Sequence, residues 1–252
     1  MRSYGNRLES AADKTTLAGA DLGLSIMRST CREPETMSSA DFLFAPEVQK
    51  LLMVVYAAPD QQFSCSELAQ RSKLDPADAA RTLEHLVSSG ILKGHKPKAD
   101  QDDGFSINRS FLFHDELRSI ALKSFAAAEP VRSMLRTKFR DSVLRAFVLG
   151  EDKDGTVELL VVHGQLTPDE AAMTAACQKL SKNIHRHLKM HVISNARFNS
   201  LVPRDPLASK LAAPCALEII ALGDTKAQLP VERVSLLQSA KKKLATLSRP
   251  SA

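Results

Sequence analysis

Apolar residues between positions 46 and 140 recur every three or four residues, and after position 142 they gather into short unbroken runs; the first pattern predicts helices, the second buried strands. Val48, Leu51, Leu52 and Val55 set the first stripe, over 46–57, and Pro59 ends it. In 64–90, SCSELAQRSKLDPADAARTLEHLVSSG, Ser64 and Glu67 have the spacing of a capping box, with Leu68 and Ala69 facing inward. Asp75 is placed to cap the next helix. Pro76 suits its first position, where a missing N–H costs nothing, and Asp78 lies near its positive end. Ala79, Leu83, Leu86 and Val87 share the inner face of that helix, and Gly90 closes it at C′. Two short helices joined by a tight turn make a helix-turn-helix. ILKGH, a polar tip KPKADQDD and GFSI follow as a β-hairpin wing.

Leu117, Ile120, Ala121 and Phe125 form the next stripe, a helix that Pro130 is expected to break or kink, and Val131, Met134, Leu135 and Phe139 carry another over 131–140. These helices read as an inter-domain connector; their stripe either packs on its own chain or forms a dimer seam. LRAFVLG (144–150) and TVELLVVHG (156–164) then read as buried strands. A helix is predicted over 167–188 with Thr167 as cap and Pro168 in its first position, then a strand at MHVISN (190–195). NARFNSL and DPLASKLA read as short helices, CALEIIALG (215–223) as a strand, and PVERVSLLQSAKKKLATL as a closing helix. Alternating strands and helices make this half a compact α/β domain.

A chain of 252 residues, 44% of them hydrophobic, suits two modest cores better than one. The net charge of +5 fits a polyanionic partner without identifying one. The sequence has no apolar run of membrane-spanning length and no secretory signal pattern, so a cytoplasmic protein with no membrane partner is expected. Cys31, Cys65, Cys177 and Cys215 stand far apart with no CxxC pair, which predicts reduced thiols, Cys177 as a small buried residue, and no zinc site. His185, His187 and His191 cannot share one helix face if a strand starts near 190, so they read as surface histidines. Neither a metal nor a cofactor is expected. Residues 1–36 carry balanced charge and no periodicity and predict a mobile arm. Met37 opens a segment that would start the folded part naturally. The arm is then either a non-essential extension or a stretch upstream of the true start, and detecting it in the native protein by mass spectrometry would dismiss the second possibility.

The order of parts carries a resemblance. FLFAPEVQKLL introduces the winged helix; FHDELRSIALKSF, FVLG, ELLVVHG and HVISNARFNSLVPRDPLASKLAAPCALEIIALG follow. Together, over roughly residues 40–224, they resemble bacterial and archaeal transcriptional regulators that fuse a winged helix to a nucleotidyltransferase-like domain. The resemblance implies a two-domain α+β / α/β fold: a flexible arm at 1–40, a winged helix-turn-helix at 41–110 that binds double-stranded DNA, a helical connector at 111–141, and a nucleotidyltransferase-like mixed-sheet domain at 142–252 that includes the closing helix. An active member of that fold has a Gly-Ser turn after the first strand to cradle phosphates and an Asp-x-Asp on the second to hold two metal ions. Here Gly150 is kept but Glu151 replaces the Ser, the loop 151–155 is short, and the Asp-x-Asp position reads Thr156, Val157, Glu158. One carboxylate cannot replace two in a two-metal site. The resemblance therefore implies a degenerate nucleotide site at Gly150, Glu151, Thr156 and Glu158, and an inactive domain used for sensing, dimerisation or partner contact.

For DNA, the candidate contacts are the helix-start residues Ser64 and Asp75, the outward face Ala77, Ala80, Arg81, Glu84 and His85, and the wing residues Lys93, His95, Lys96 and Lys98. A helix N-terminus offers backbone N–H groups to phosphate. Arg81 has the fork that bonds guanine bidentately, His85 lies one turn on, and Glu84 could accept from cytosine N4. Asp78 and Glu84 repel phosphate, however, and Asp100, Asp102 and Asp103 offset the wing lysines, which otherwise read as a solvated hairpin. Lys241, Lys242 and Lys243 read as a solvated face or an auxiliary DNA contact. The expectation is a homodimeric DNA-binding regulator with a protein partner or small-molecule effector. The alternatives are an active nucleotidyltransferase and an antitoxin-like protein-interaction module without DNA binding.

Overall fold

The computed structural model describes residues 38–95, 103–152 and 154–230, all within one compact unit, Met37–Ala252. It is a mixed α and β structure with two separate sheets. The expected arm at 1–36, the wing tip with Lys96, Lys98, Asp100 and Asp102, Cys31, and the closing helix with Lys241, Lys242 and Lys243 lie outside the described residues. Residues 38–40, assigned to the arm from sequence, belong with the packed part: Ala40 is buried and its carbonyl accepts the Phe44 N–H.

The first half holds α1 (Pro46–Ala57), β1 (Phe63–Ser64), α2 (Cys65–Ser72), α3 (Pro76–Ser88), β2 (Leu92–His95) and β3 (Gly104–Ile107). β2 and β3 pair antiparallel, and β1 adds to the other side of β3, opposite Gly104 and Phe105. Ser64 Oγ accepts the Glu67 N–H at 3.1 Å while Glu67 Oε2 accepts the Ser64 N–H at 3.0 Å, so the capping box closes. Asp75 Oδ1 takes the Ala77 N–H at 2.9 Å, with Pro76 in the first position of α3. At the far end Gly90 takes φ +76°, its N–H meets Val87 O at 2.9 Å, and Ile91 N–H meets Leu86 O at 3.0 Å, the crossed pair of bonds that needs a left-handed residue. Leu51, Leu68, Leu83 and Leu86 are fully buried in one core beneath α1, α2 and α3. Ser64→Ala removes one arm of the capping box and should lower stability by about 1 kcal/mol in urea denaturation, with the slope against urea unchanged.

α4 (His114–Lys123) and α5 (Ala128–Lys138) correct the reading of Pro130. The chain turns at 124–127, before the proline, and Pro130 sits in the first turn of α5, where no intrahelical donor is required of it. The turn also divides the apolar stripe. Ala121 joins the first core; Val131, Leu135 and Phe139 are buried in a second. Ala121, Val131, Leu135 and Phe139 pack within the chain, while Leu117, Ile120, Phe125 and Met134 stay partly exposed.

The second sheet has the order β6-β5-β4-β7, from β4 (Val143–Glu151), β5 (Val157–His163), β6 (Leu188–Ser194) and β7 (Leu217–Ile220). β5 and β6 run parallel and the other neighbours antiparallel, so the sheet is mixed. α5 and α6 (Glu170–Ile184) cover one face over Val148, Leu159, Val161 and Met173; α7 (Asn195–Asn199) and α8 (Pro206–Leu211) cover the other over Phe147, Leu149, Leu160 and Val162. Burial on both faces is why the strands read as unbroken apolar runs. α6 starts later than predicted. Asp169, not Thr167, is its cap, accepting the Ala171 N–H at 3.0 Å, and Thr167 and Pro168 precede the helix. It also ends earlier, at Ile184, because His185 turns left-handed (φ 56°) and Leu188 is already paired with Val157 as strand.

Candidate nucleic-acid interface and the carboxylates at the sheet end

α3 presents Ala77, Ala80, Arg81, Glu84 and His85 to solvent, the face opposite Ala79, Leu83 and Leu86. Arg81 Nη2 lies 3.2 Å from Asp78 Oδ1, but its side chain is 77% exposed. An exposed i,i+3 pair is worth little, so the guanidinium can leave it for a stronger partner. Two alanines on this face let a second surface approach the helix axis closely. Ser64 Oγ and Asp75 Oδ1 serve as caps, and Ser64 Oγ also meets Ser66 Oγ at 2.9 Å, so these side chains position α2 and α3. On the wing, Lys93 is exposed, whereas His95 bonds Ser106 Oγ at 2.7 Å and braces the hairpin. Sequence reasoning missed Lys73, exposed in a left-handed turn (φ 56°) between α2 and α3; a basic residue in the turn of a helix-turn-helix was the available signal.

The four residues assigned to a degenerate nucleotide site do not act together. Gly150 stands opposite Glu158, and Glu151 opposite Val157, in the β4/β5 register. Since successive side chains alternate across a sheet, the carboxylates of Glu151 and Glu158 lie on opposite faces. Glu151 does not stand at a phosphate-docking turn: its side chain is 4% exposed, Oε2 accepts from Arg118 Nη2 of α4 at 2.8 Å, and Oε1 accepts from Arg186 Nη1. Arg186, in the turn between α6 and β6, is itself fully buried, and among the described residues its Nε and Nη2 have no partner. Burial, with the charge of Arg118 adding to it, pulls the Arg186 guanidinium down to about 10. Gly150 takes φ +133° with Cys215 Sγ 3.0 Å from where a Cβ would stand, so a thiol fills the space beside the glycine. Thr156 closes a tight loop by donating its N–H to Asp152 Oδ1 at 2.8 Å. Glu158 sits between Lys210 and Lys189, and the hydrogen bond from Lys210 holds its carboxyl below the usual range.

The three histidines have separate duties. His185 Nε2 bonds the Arg71 carbonyl of α2 at 3.1 Å, His187 is exposed, and His191 lies on β6. Cys177 is buried, and burial pushes its thiol up, away from the reactive thiolate. Among the described residues no three His, Cys, Asp or Glu side chains gather as a metal cluster, and no helix is long and apolar enough to cross a membrane.

No protein-family model matches the chain and no curated protein matches it. Among solved structures it is similar to HmgR of Pseudomonas aeruginosa, at 15% identity and a TM-score of 0.23, over 58% of this chain and 50% of that one, so the likeness spans half the length of that protein.

Proposed function

We propose that this chain is a sequence-specific transcriptional regulator that binds double-stranded DNA as a homodimer. In this reading α3 enters the major groove, the β2–β3 wing lies along the backbone, and a catalytically inactive nucleotidyltransferase-like domain serves for sensing or partner contact. The observation that carries the reading is the uncovered face of α3, with Arg81 loosely held at its centre beside the hairpin. Inactivity is supported by the placement of Glu151 and Glu158 on opposite faces, each already engaged by two basic side chains. The test is fluorescence anisotropy with duplex from the gene's own upstream region against a scrambled duplex, over a salt series. Specific binding should exceed non-specific binding about a thousandfold or more, and Arg81→Ala should cost about 1–3 kcal/mol on the upstream duplex while leaving the scrambled one nearly unchanged. Equal affinity for both duplexes would reject sequence-specific reading at this site.

A second reading, a winged helix that contacts a protein, is favoured by charge. Residues 64–90 hold four carboxylates (Glu67, Asp75, Asp78, Glu84) against three cations (Arg71, Lys73, Arg81), a poor match to phosphate. Co-purification with one stable partner, together with no DNA binding at low salt, would select it. Labelled nucleotide appearing on protein or RNA in the presence of magnesium would instead revive the nucleotidyltransferase.

A further inference from the structure

A groove of about 680 Å³ runs between α6 and β6. That volume is in the range of small-ligand sites, about 300–1,000 Å³. Its floor is Met173, Cys177, Leu188 and Met190, with the Cys177 and Met190 sulfurs 3.9 Å apart. Unbranched sulfur side chains reshape easily around an apolar guest. The two ends differ in charge. Lys182 and His187, both exposed, stand at the end where α6 finishes and β6 begins; Glu170 stands at the other. From Glu170 to Lys182 the helix rises about 18 Å, so the groove is long and narrow, with a cation at one end and a carboxylate at the other.

Between Lys182 and His187 lie His185 and Arg186. His185 holds the Arg71 carbonyl at the end of α2, and Arg186 holds Glu151, which Arg118 of α4 also grips. A change in the spacing of α6 and β6 therefore moves the side chains that hold two helices of the first half. We infer that the groove binds an elongated apolar monoanion, of the class of a medium-chain carboxylate, with its charged end at Lys182 and His187, and that His185 relays occupancy to α2. The regulatory meaning of that relay rests on the DNA-binding reading; the site and the relay are tested without DNA.

The experiment is calorimetric titration of the full chain with decanoate below its micelle concentration, followed by amide hydrogen exchange over α2. Saturable one-to-one binding is expected, weakened about tenfold by Lys182→Glu and at least as much when decyltrimethylammonium replaces decanoate. Met190→Arg, which puts a long cation across the floor, should abolish it. Decanoate should alter exchange in α2 of the wild type but not of His185→Ala, which should still bind decanoate saturably. Failure to saturate, equal affinity for the cation, or indifference to Lys182→Glu would overturn the ligand assignment. So would binding that emerges only after residues 231–252 are removed, since the groove would then belong to the chain's own tail. Equal exchange changes in wild type and His185→Ala would overturn the relay. A protein that binds decanoate with these properties yet ignores every duplex would refute the DNA reading alone.

Discussion

Glu151→Ala is expected to cost about 3–5 kcal/mol in urea denaturation. The reason lies in what is left behind. Arg118 is 39% exposed and can turn to water when its carboxylate is removed, but Arg186 is fully buried and, among the described residues, already has Nε and Nη2 without partners. Removing Glu151 takes away the acceptor that Arg186 has and leaves a buried guanidinium with no counter-charge. The double variant Glu151→Met with Arg186→Met distinguishes this from lost packing: removing both charges together should recover most of the loss, because a buried ion pair replaced by apolar residues of similar volume is often neutral or stabilising. If Glu151→Ala costs less than about 1 kcal/mol, or the double variant is as unstable as the single, the desolvated pair is not what holds this junction. The pair joins α4 of the first half to the end of β4 and to the turn after α6, so the same variant should loosen the connection between the two cores.

The split between what was legible in the chain and what was not follows the distance over which each feature is written. Ser64 with Glu67, Asp75 with Pro76, and Gly90 are signals within four residues, and each appears in the structure at the predicted position. β4 and β5 were legible as buried strands because, covered on both faces, they had to be apolar throughout. The errors at α6 and Pro130 are competitions between neighbouring signals. Thr167 and Asp169 are both cap residues, and Asp169 prevails with Pro168 buried before the helix; Pro130 is tolerated because the chain had already turned at 124–127. Glu151 and Glu158 could not be read at all. Their partners Arg118, Arg186, Lys189 and Lys210 lie 31 to 52 residues away, and nothing local distinguishes a carboxylate aimed at solvent from one held in a buried ion pair. Glu151 is, in three dimensions, a structural contact between α4, β4 and the turn after α6.

Alkaline pH should expose the other buried polar group at this junction. Tyr56, in the last turn of α1, is 1% exposed; among the described residues its hydroxyl reaches only the His114 carbonyl, at 3.5 Å, and burial pushes its pKa up to about 12, with Arg118 opposing the rise and Asp115 adding to it. The folded protein therefore keeps this proton where the unfolded chain, titrating near pH 10, gives it up. The stability contributed by the protonated phenol is fully present below pH 10 and is lost as pH rises through about 12, an effect on the order of 3 kcal/mol. Arg186 acts in the opposite direction, since its folded value lies below the unfolded one, so the comparison has to be wild type against Tyr56→Phe at each pH. The difference in unfolding free energy between the two should shrink, or reverse in favour of phenylalanine, between pH 10 and pH 12. Phenolate absorbance gives an independent check, because the chain has two tyrosines, Tyr4 and Tyr56. Subtracting the Tyr56→Phe titration from that of wild type should leave a single step near 12, that of Tyr56. A difference step near 10 would mean that water reaches the Tyr56 hydroxyl, and that the seam between α1 and α4, where Arg118 leaves for Glu151, is open in solution.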